Sequence, residues 1–290
     1  VALALSNEHN RGRRMGQAAA VRTLAMVLGT GLVWLFYSEQ SPPYAIGFLG
    51  GAGIVLVGGL IYAAMHIPHL HQPRARLVIR RRYSLYYVLE FLFGARKQIF
   101  LTFGPWVLIK IYGLPATDIA RLLMIASIIG IAFKPLAGMA IDRFGERAVM
   151  IVDGVVLFAV CLGYGYAMHL FDDIARARTL ASACFIADNL LFALGTSRTV
   201  YLSRMTADSP RELTSSISMG VSINHIASMI IPAITGGVWA SFGYERVFLA
   251  AALFALCISA VSSLVPKRAA FVVARTGPEA AHTSGQGEVD

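Results

Sequence analysis

The chain has 290 residues, of which 57% are hydrophobic and only 14% are charged, and its formal net charge is +9. A soluble domain of this length needs more charge to cover its surface, and here the apolar residues form long blocks, so a soluble enzyme is excluded and lipid is indicated as the solvent. The basic residues stand between the apolar blocks, an arrangement that orients membrane proteins and does not suggest binding to nucleic acid.

A bilayer core is spanned by about 20 consecutive apolar residues in a helix. The chain offers eight such blocks, in order Gln17–Tyr37, Tyr44–Met65, Tyr83–Tyr112, Asp118–Ile141, Ala148–Leu170, Thr179–Leu202, Thr214–Trp239 and Tyr244–Val265. The sequence therefore predicts an all-α fold, a polytopic transmembrane helical bundle of about eight spans.

The basic residues of the loops fall almost entirely on one side of this arrangement. That side has Arg11, Arg13, Arg14, Arg74, Arg76, Arg80, Arg81, Arg82, Arg143, Arg147, Arg204, Arg211, Lys267, Arg268 and Arg275, and the other has Arg176, Arg178 and Arg246. Cytoplasmic loops of membrane proteins carry such an excess. Both termini are therefore expected in the cytoplasm, as an even number of spans also requires.

The longest basic stretch, HQPRARLVIRRRYS, separates the second span from the third. It could be a patch that binds lipid headgroups or nucleic acid. The asymmetry of the loops favours a cytoplasmic connector over residues 69–82, and no nucleic-acid partner is predicted. The connector divides two spans, in residues 1–68, from six, in residues 83–266, and residues 267–290 have the composition of a disordered cytoplasmic tail.

The third span is unusually polar, with Glu90, Arg96, Lys97 and Gln98 near its middle. Ionisable groups at membrane depth usually face a cavity or a partner. Glu90 and Lys97 lie on nearly the same helix face but about 10 Å apart along the axis, so a bond between them needs a bridging group. Arg96 or Lys97 could meet an anionic solute, or both could snorkel or pair with neighbouring helices.

The loop between the fourth and fifth spans reads GMAIDRFGERAVM. It resembles the loop signature of the major facilitator superfamily, whose places are filled by Gly138, Asp142, Arg143, Gly145 and Arg147. Glu146 stands where that family usually has a basic residue. Gly138 would let two helices approach closely, and Gly145 would allow a tight turn. The resemblance implies that the charged residues latch helices together at the cytoplasmic face.

The order of spans, connector and motif extends this resemblance to the last eight of twelve helices, as in an N-terminally truncated family member. Residues 1–68 would then hold the last two helices of the N-terminal half, and residues 83–266 the six-helix C-terminal half. The resemblance implies a secondary active transporter that moves a small solute by alternating access, coupled to protons, in the bacterial inner membrane. The alternative is a non-transporting membrane scaffold or a truncated remnant.

The later spans carry further polar candidates. Asp188 and Asn189 lie deep in the sixth span, where Asp188 could couple protons, bind substrate or be structural. Arg198 is expected to extend towards the cytoplasm, and Asp153 to link to the nearby loop. Asn224 in the seventh span could serve a ligand, although hydrogen bonding between helices explains it without one and is the favoured interpretation.

Neither an enzyme nor a cofactor is predicted. The chain has no nucleophile–base set, phosphate-binding loop or dinucleotide fingerprint. Its three cysteines, Cys161, Cys184 and Cys257, lie in apolar runs without paired spacing, so no metal site or disulfide is expected. The expected partners are the lipid bilayer, protons and a small solute, with a weak lean to an anion.

Overall fold

The computed structural model describes residues 11–36, 44–65, 79–206 and 210–266. Within these ranges all regular structure is helical. The α-helices are α1 (Arg11–Phe36), α2 (Tyr44–Ala64), α3 (Ser84–Lys110), α4 (Ala116–Phe144), α5 (Glu146–Gly165), α6 (Ala167–Leu170), α7 (Ile174–Leu191), α8 (Thr196–Met205), α9 (Pro210–Phe242) and α10 (Tyr244–Ser262). Two 3₁₀ helices, Arg81–Tyr83 and Phe192–Gly195, complete the set.

Every predicted span is helical, which confirms the all-α membrane fold. Six helical segments of the described residues are long and apolar enough to cross a bilayer: Tyr44–Ala64, Ala116–Phe144, Glu146–Gly165, Ile174–Met205, Glu212–Phe242 and Tyr244–Ser262. The other two predicted spans are the more polar helices α1, whose apolar part is Val21–Phe36, and α3. Most of the predicted connector and the whole predicted tail lie outside the described residues.

The sixth predicted span is not one continuous helix. It is broken into α7, one 3₁₀ turn at Phe192–Gly195, and α8. Asp173 caps the start of α7, because its side chain accepts a hydrogen bond of 3.0 Å from the backbone nitrogen of Ala175. The fifth predicted span is also shorter than expected: α5 ends at Gly165, and the separate short helix α6 follows.

Two tight turns between long helices depend on glycine. Gly145, between α4 and α5, has φ 83° and ψ 157°, and Gly243, between α9 and α10, has φ 85° and ψ 169°. This backbone region is open almost only to glycine, since a Cβ would clash there. Each glycine ends one helix and allows the next to start immediately, in agreement with the tight turn predicted at Gly145.

The chain divides into two compact units, the first formed by Val1–Arg74 and Leu108–Ile131. In its described part α1 contacts the first half of α4, where the guanidinium of Arg121 lies 5.9 Å from the centre of the Trp34 ring. Helix α2 has no buried residue. Its apolar side chains are exposed all round, as suits a helix whose solvent is lipid.

The second unit is formed by Ala75–Val107 and Ala132–Asp290, and its centre is the packing of α5 against α10. A Cβ added to Gly154 would lie 2.8 Å from the carbonyl oxygen of Ala255 and 2.9 Å from the nitrogen of Ser259. The Ser259 hydroxyl donates a 2.7 Å hydrogen bond to the carbonyl oxygen of Ile151. Small residues thus bring the two backbones into contact, as is usual between membrane helices.

We predict that Gly154→Val destabilises the protein by about 1–3 kcal/mol, the usual effect of overpacking, because the new side chain meets backbone atoms that cannot turn aside. Thermal unfolding of the purified protein in detergent measures the effect. The control is Gly236→Val, since a Cβ at Gly236 meets nothing within 4 Å. Equal melting temperatures for the two variants would contradict the prediction.

Candidate functional site

Arg96 of α3 is completely buried and pairs with Asp188 of α7. Its Nη2 lies 2.6 Å from Asp188 Oδ1, and the two side chains are 0% and 2% exposed. The guanidinium carbon also lies 4.6 Å from the centre of the Phe192 ring and 5.7 Å from that of Phe93. Two opposite charges removed from water stabilise each other only with good geometry, and the aromatic faces add cation–π attraction.

A second buried ion pair joins α3 to α8. Arg198 Nε donates to Glu90 Oε1 over 2.9 Å, and both side chains are 10% exposed. The guanidinium carbon of Arg198 lies 3.5 Å from the centre of the Phe93 ring. Phe93 thus contacts both buried arginines. Arg198 does not extend to the cytoplasmic surface as expected, because Glu90 offers it an anionic partner inside the bundle.

Asn224 of α9 is the bridging group between Glu90 and Lys97. Its Oδ1 accepts a 2.8 Å hydrogen bond from Lys97 Nζ, and its Nδ2 donates to Glu90 Oε2 over 3.3 Å. The amide therefore presents an acceptor to the cation and a donor to the anion. Lys97 is only partly buried, in contrast to Arg96.

The helices can come this close because small residues face the cluster. A Cβ on Gly94 would lie 2.6 Å from the carbonyl oxygen of Asn224, so α3 and α9 are in backbone contact there. A Cβ on Gly195, at the end of the 3₁₀ turn, would lie 3.1 Å from Phe93 Cζ and from Arg198 Nη2. We call the set of residues held in this way the charged cluster: Glu90, Arg96, Lys97, Asp188, Arg198 and Asn224.

Two predicted candidates do not join the charged cluster. Asn189 Nδ2 donates to the Phe185 carbonyl oxygen of its own helix over 2.8 Å. Gln98 Nε2 donates to Thr102 Oγ1 over 3.2 Å, also within one helix, and Gln98 is partly exposed beside Lys97. No group of three His, Cys, Asp or Glu side chains suited to a metal ion occurs among residues 11–36, 44–65, 79–206 and 210–266.

The loop motif has a different geometry from the one expected at its first glycine. A Cβ on Gly138 would meet no atom within 4 Å, so the predicted close approach of helices is absent there in the described structure. Asp142 and Arg143 are exposed, and Arg147 is partly exposed. The latching role implied by the resemblance stays a prediction.

Sequence reasoning missed the role of Glu146, the residue that departs from the family pattern. Glu146 is 1% exposed, and its Oε2 lies 2.7 Å from Arg204 Nη1 at the end of α8. An acidic residue in the first turn of an apolar helix, next to a required glycine, is the only signal of this pair in the sequence. The residue that departs from the family pattern therefore forms an ion pair between α5 and α8.

A second missed contact ties the start of α3 to the start of α9. Glu212 accepts hydrogen bonds from Arg80 Nη1 over 2.7 Å and from the Tyr83 hydroxyl over 2.6 Å. The phenol is the donor of the second bond and the carboxylate its acceptor, so one carboxylate holds both Arg80 and Tyr83. Nothing local in the sequence indicates this pairing, because 129 residues separate Tyr83 from Glu212.

We predict that Arg198→Gln destabilises the protein by about 3–5 kcal/mol, because it leaves the Glu90 carboxylate buried without its cation. The double variant Glu90→Gln with Arg198→Gln should recover part of the loss. The matched control is Arg176→Gln, whose partner Asp173 is 3.8 Å away on the surface and whose effect should stay within about 1 kcal/mol. Equal melting temperatures for Arg198→Gln and Arg176→Gln would show that the buried pair contributes nothing.

Comparison with known protein families identifies one family for the chain. No curated protein matches the chain. A family model described as Major Facilitator Superfamily matches residues 86–285, the part of the chain that contains the charged cluster and the loop motif. The match extends over more than half of the chain and includes five of the six helical segments that are long and apolar enough to cross a bilayer. The chain belongs to the Major Facilitator Superfamily and is a multi-pass membrane transporter of that type.

Proposed function

We propose that the protein is a secondary active carrier that moves a small anionic solute by alternating access, with protons as the coupling ion. The bacterial inner membrane is its proposed location, with both termini in the cytoplasm. The observation that carries the proposal is the charged cluster, in which three cations and two acids share a short stretch of four helix segments. Charges at membrane depth are costly, so their concentration in one place supports a functional site.

Lys97 is the residue proposed to meet the anion. The sequence left Arg96 and Lys97 as equal candidates, and the contacts distinguish them. Arg96 is fully buried and bound to Asp188, whereas Lys97 is partly exposed and bound to a neutral amide. An ammonium group with three donors keeps hydrogen-bonding capacity after one bond to Asn224. Gln98, partly exposed next to it, offers a neutral polar group to the same solute.

The helices that hold the charged cluster also have the features that support alternating access. The 3₁₀ turn at Phe192–Gly195 breaks a membrane span between Asp188 and Arg198, so each of the two charges lies on a separate helix. Proline interrupts the hydrogen-bond ladder of α3 at Pro105 and of α9 at Pro232. Broken helices and proline kinks allow one segment to move relative to another in carriers.

We predict that Lys97→Gln lowers the uptake of the transported anion about tenfold or more, since a hydrogen bond to a charged group contributes about 1.5–3 kcal/mol. The full chain is reconstituted in liposomes with a pH gradient, and radiolabelled lactate, succinate, benzoate and inorganic phosphate are tested in parallel. Uptake should depend on the gradient and collapse when a protonophore is added.

Two variants control this experiment. Lys97→Arg keeps the positive charge and should retain part of the uptake, and Arg176→Gln removes a surface charge and should leave uptake unchanged. Uptake of none of the probes, by protein that is folded and inserted, would contradict the anion proposal. Uptake unaffected by Lys97→Gln would remove Lys97 from the site and leave the carrier function in place.

We predict that the loop before α7 is outside the cell and that the start of α3 is inside. In a background with Cys161, Cys184 and Cys257 replaced by serine, Asp172→Cys should react with a membrane-impermeant thiol reagent added to intact cells. Arg82→Cys should react only after the cells are opened. Both positions are exposed in the structure, so the membrane is the barrier that distinguishes them. The reverse pattern would invert the proposed topology.

A further inference from the structure

Asp153 of α5 is a buried acid that belongs to neither of the two ion pairs of the charged cluster. Asp153 is 4% exposed, and its Oδ1 has no hydrogen-bond partner among the described residues. It belongs to the buried face of α5, between the apolar side chains of Met150 and Leu157. A carboxylate in such a place costs several kcal/mol, and binding a proton removes that cost.

The charges around Asp153 come from three other helix segments. Arg96 of α3 and Arg198 of α8 act on it electrostatically, and Asp153 in turn acts on Asp188 of α7. Helix α10, which packs closely at the neighbouring Gly154, presents the uncharged residues Ala255 and Ser259 there. Asp153 and Asp188 thus both interact with the positive charge of Arg96, but only Asp188 forms an ion pair with it. Arg198 is paired with Glu90.

Arg96 has unused hydrogen-bonding capacity. Its Nη2 is bound to Asp188, but its Nε and Nη1 are buried with no hydrogen-bond partner among the described residues. The planar guanidinium can donate to two carboxylates from different edges, because it has five N–H groups. The unpartnered nitrogens of Arg96 and the unpartnered oxygen of Asp153 are therefore complementary groups that are not bonded to each other here.

We propose that Asp153 is the site where the coupled proton binds, and that Asp153 and Asp188 compete for Arg96. The inference rests on the proton coupling proposed above. With the proton on its carboxyl group Asp153 is neutral, and Arg96 pairs with Asp188 as observed. When the proton leaves, the new carboxylate of Asp153 attracts the free donors of Arg96, and the guanidinium turns from one acid towards the other. The proton is the only species that binds or leaves in this step.

Infrared spectroscopy of the full chain in lipid nanodiscs tests the proposal without any solute. The carbonyl stretch of protonated carboxyl groups is recorded as a function of pH and identified by its shift in heavy water. The wild type should show a protonated buried carboxyl at neutral pH, and Asp153→Asn should lose that signal. Glu90→Gln, which removes a different buried acid, should keep it.

Asp188→Asn is the sharper variant, because it keeps Asp153 and removes the competitor. Arg96 is then available to Asp153, and the titration midpoint of the signal should move to lower pH by about 1–3 units, the usual effect of an adjacent arginine on a carboxyl group. The titration of Asp188→Asn also tests the proposal if Asp153→Asn does not fold. Folding is checked by size-exclusion chromatography. The melting temperature of Asp188→Asn should fall, because the variant removes one partner of a buried ion pair, and the infrared titration is recorded below that temperature.

Three results would overturn the proposal: no protonated carboxyl in the wild type at neutral pH, a signal that persists in Asp153→Asn, or a midpoint that Asp188→Asn does not move. Failure of the proposed function gives a different result. If the infrared signal behaves as expected but reconstituted protein moves no protons with any anion, Asp153 binds a proton and the coupling is wrong. If coupled uptake occurs and Asp153→Asn retains it, the carrier function stands and the site is elsewhere.

Discussion

The structure of the second unit depends on one constraint, the cost of holding charge where water is absent. Helix α3 brings Glu90, Arg96 and Lys97 into an otherwise apolar bundle, and each must find a partner on another helix. Glu90 pairs with Arg198, Arg96 pairs with Asp188, and Lys97 donates a hydrogen bond to Asn224. The polar residues of α7, α8 and α9 that face α3 are therefore the partners of its charged residues.

The partners differ in a way that matters for function. Arg96 and Asp188 form a dry, direct pair, and neither water nor a solute can replace one partner without leaving the other charge buried. Lys97 and Glu90 are joined only through the amide of Asn224, and Lys97 is partly exposed. Water or a solute can replace an amide acceptor at such an ammonium at much lower cost. The charged cluster thus combines an ion pair that is closed to solvent with a bridged pair that is partly open to it.

The broad architecture was predictable because lipid imposes a length and an apolar composition that a single sequence displays directly. The bridge between Glu90 and Lys97 was half predictable: helix geometry showed that they share a face and stand too far apart, but not that Asn224 joins them. The break before Arg198 and the pair of Glu146 with Arg204 were not predicted. Both depend on contacts between residues distant in sequence, which hydrophobic patterning does not encode.

The close packing of α5 on α10 has a mechanical consequence. The helices touch near Gly154 and again where a Cβ on Gly165 would lie 2.8 Å from Phe248 Cβ, and Ser259 bonds to Ile151 beyond the first contact. Two helices in close contact near both ends cannot slide or rotate independently, so α5 and α10 behave as one rigid unit. In the proposed transport cycle, motion within this unit would then fall to the other helices, and Asp153, which belongs to α5, would keep its place while the arginines of α3 and α8 change theirs.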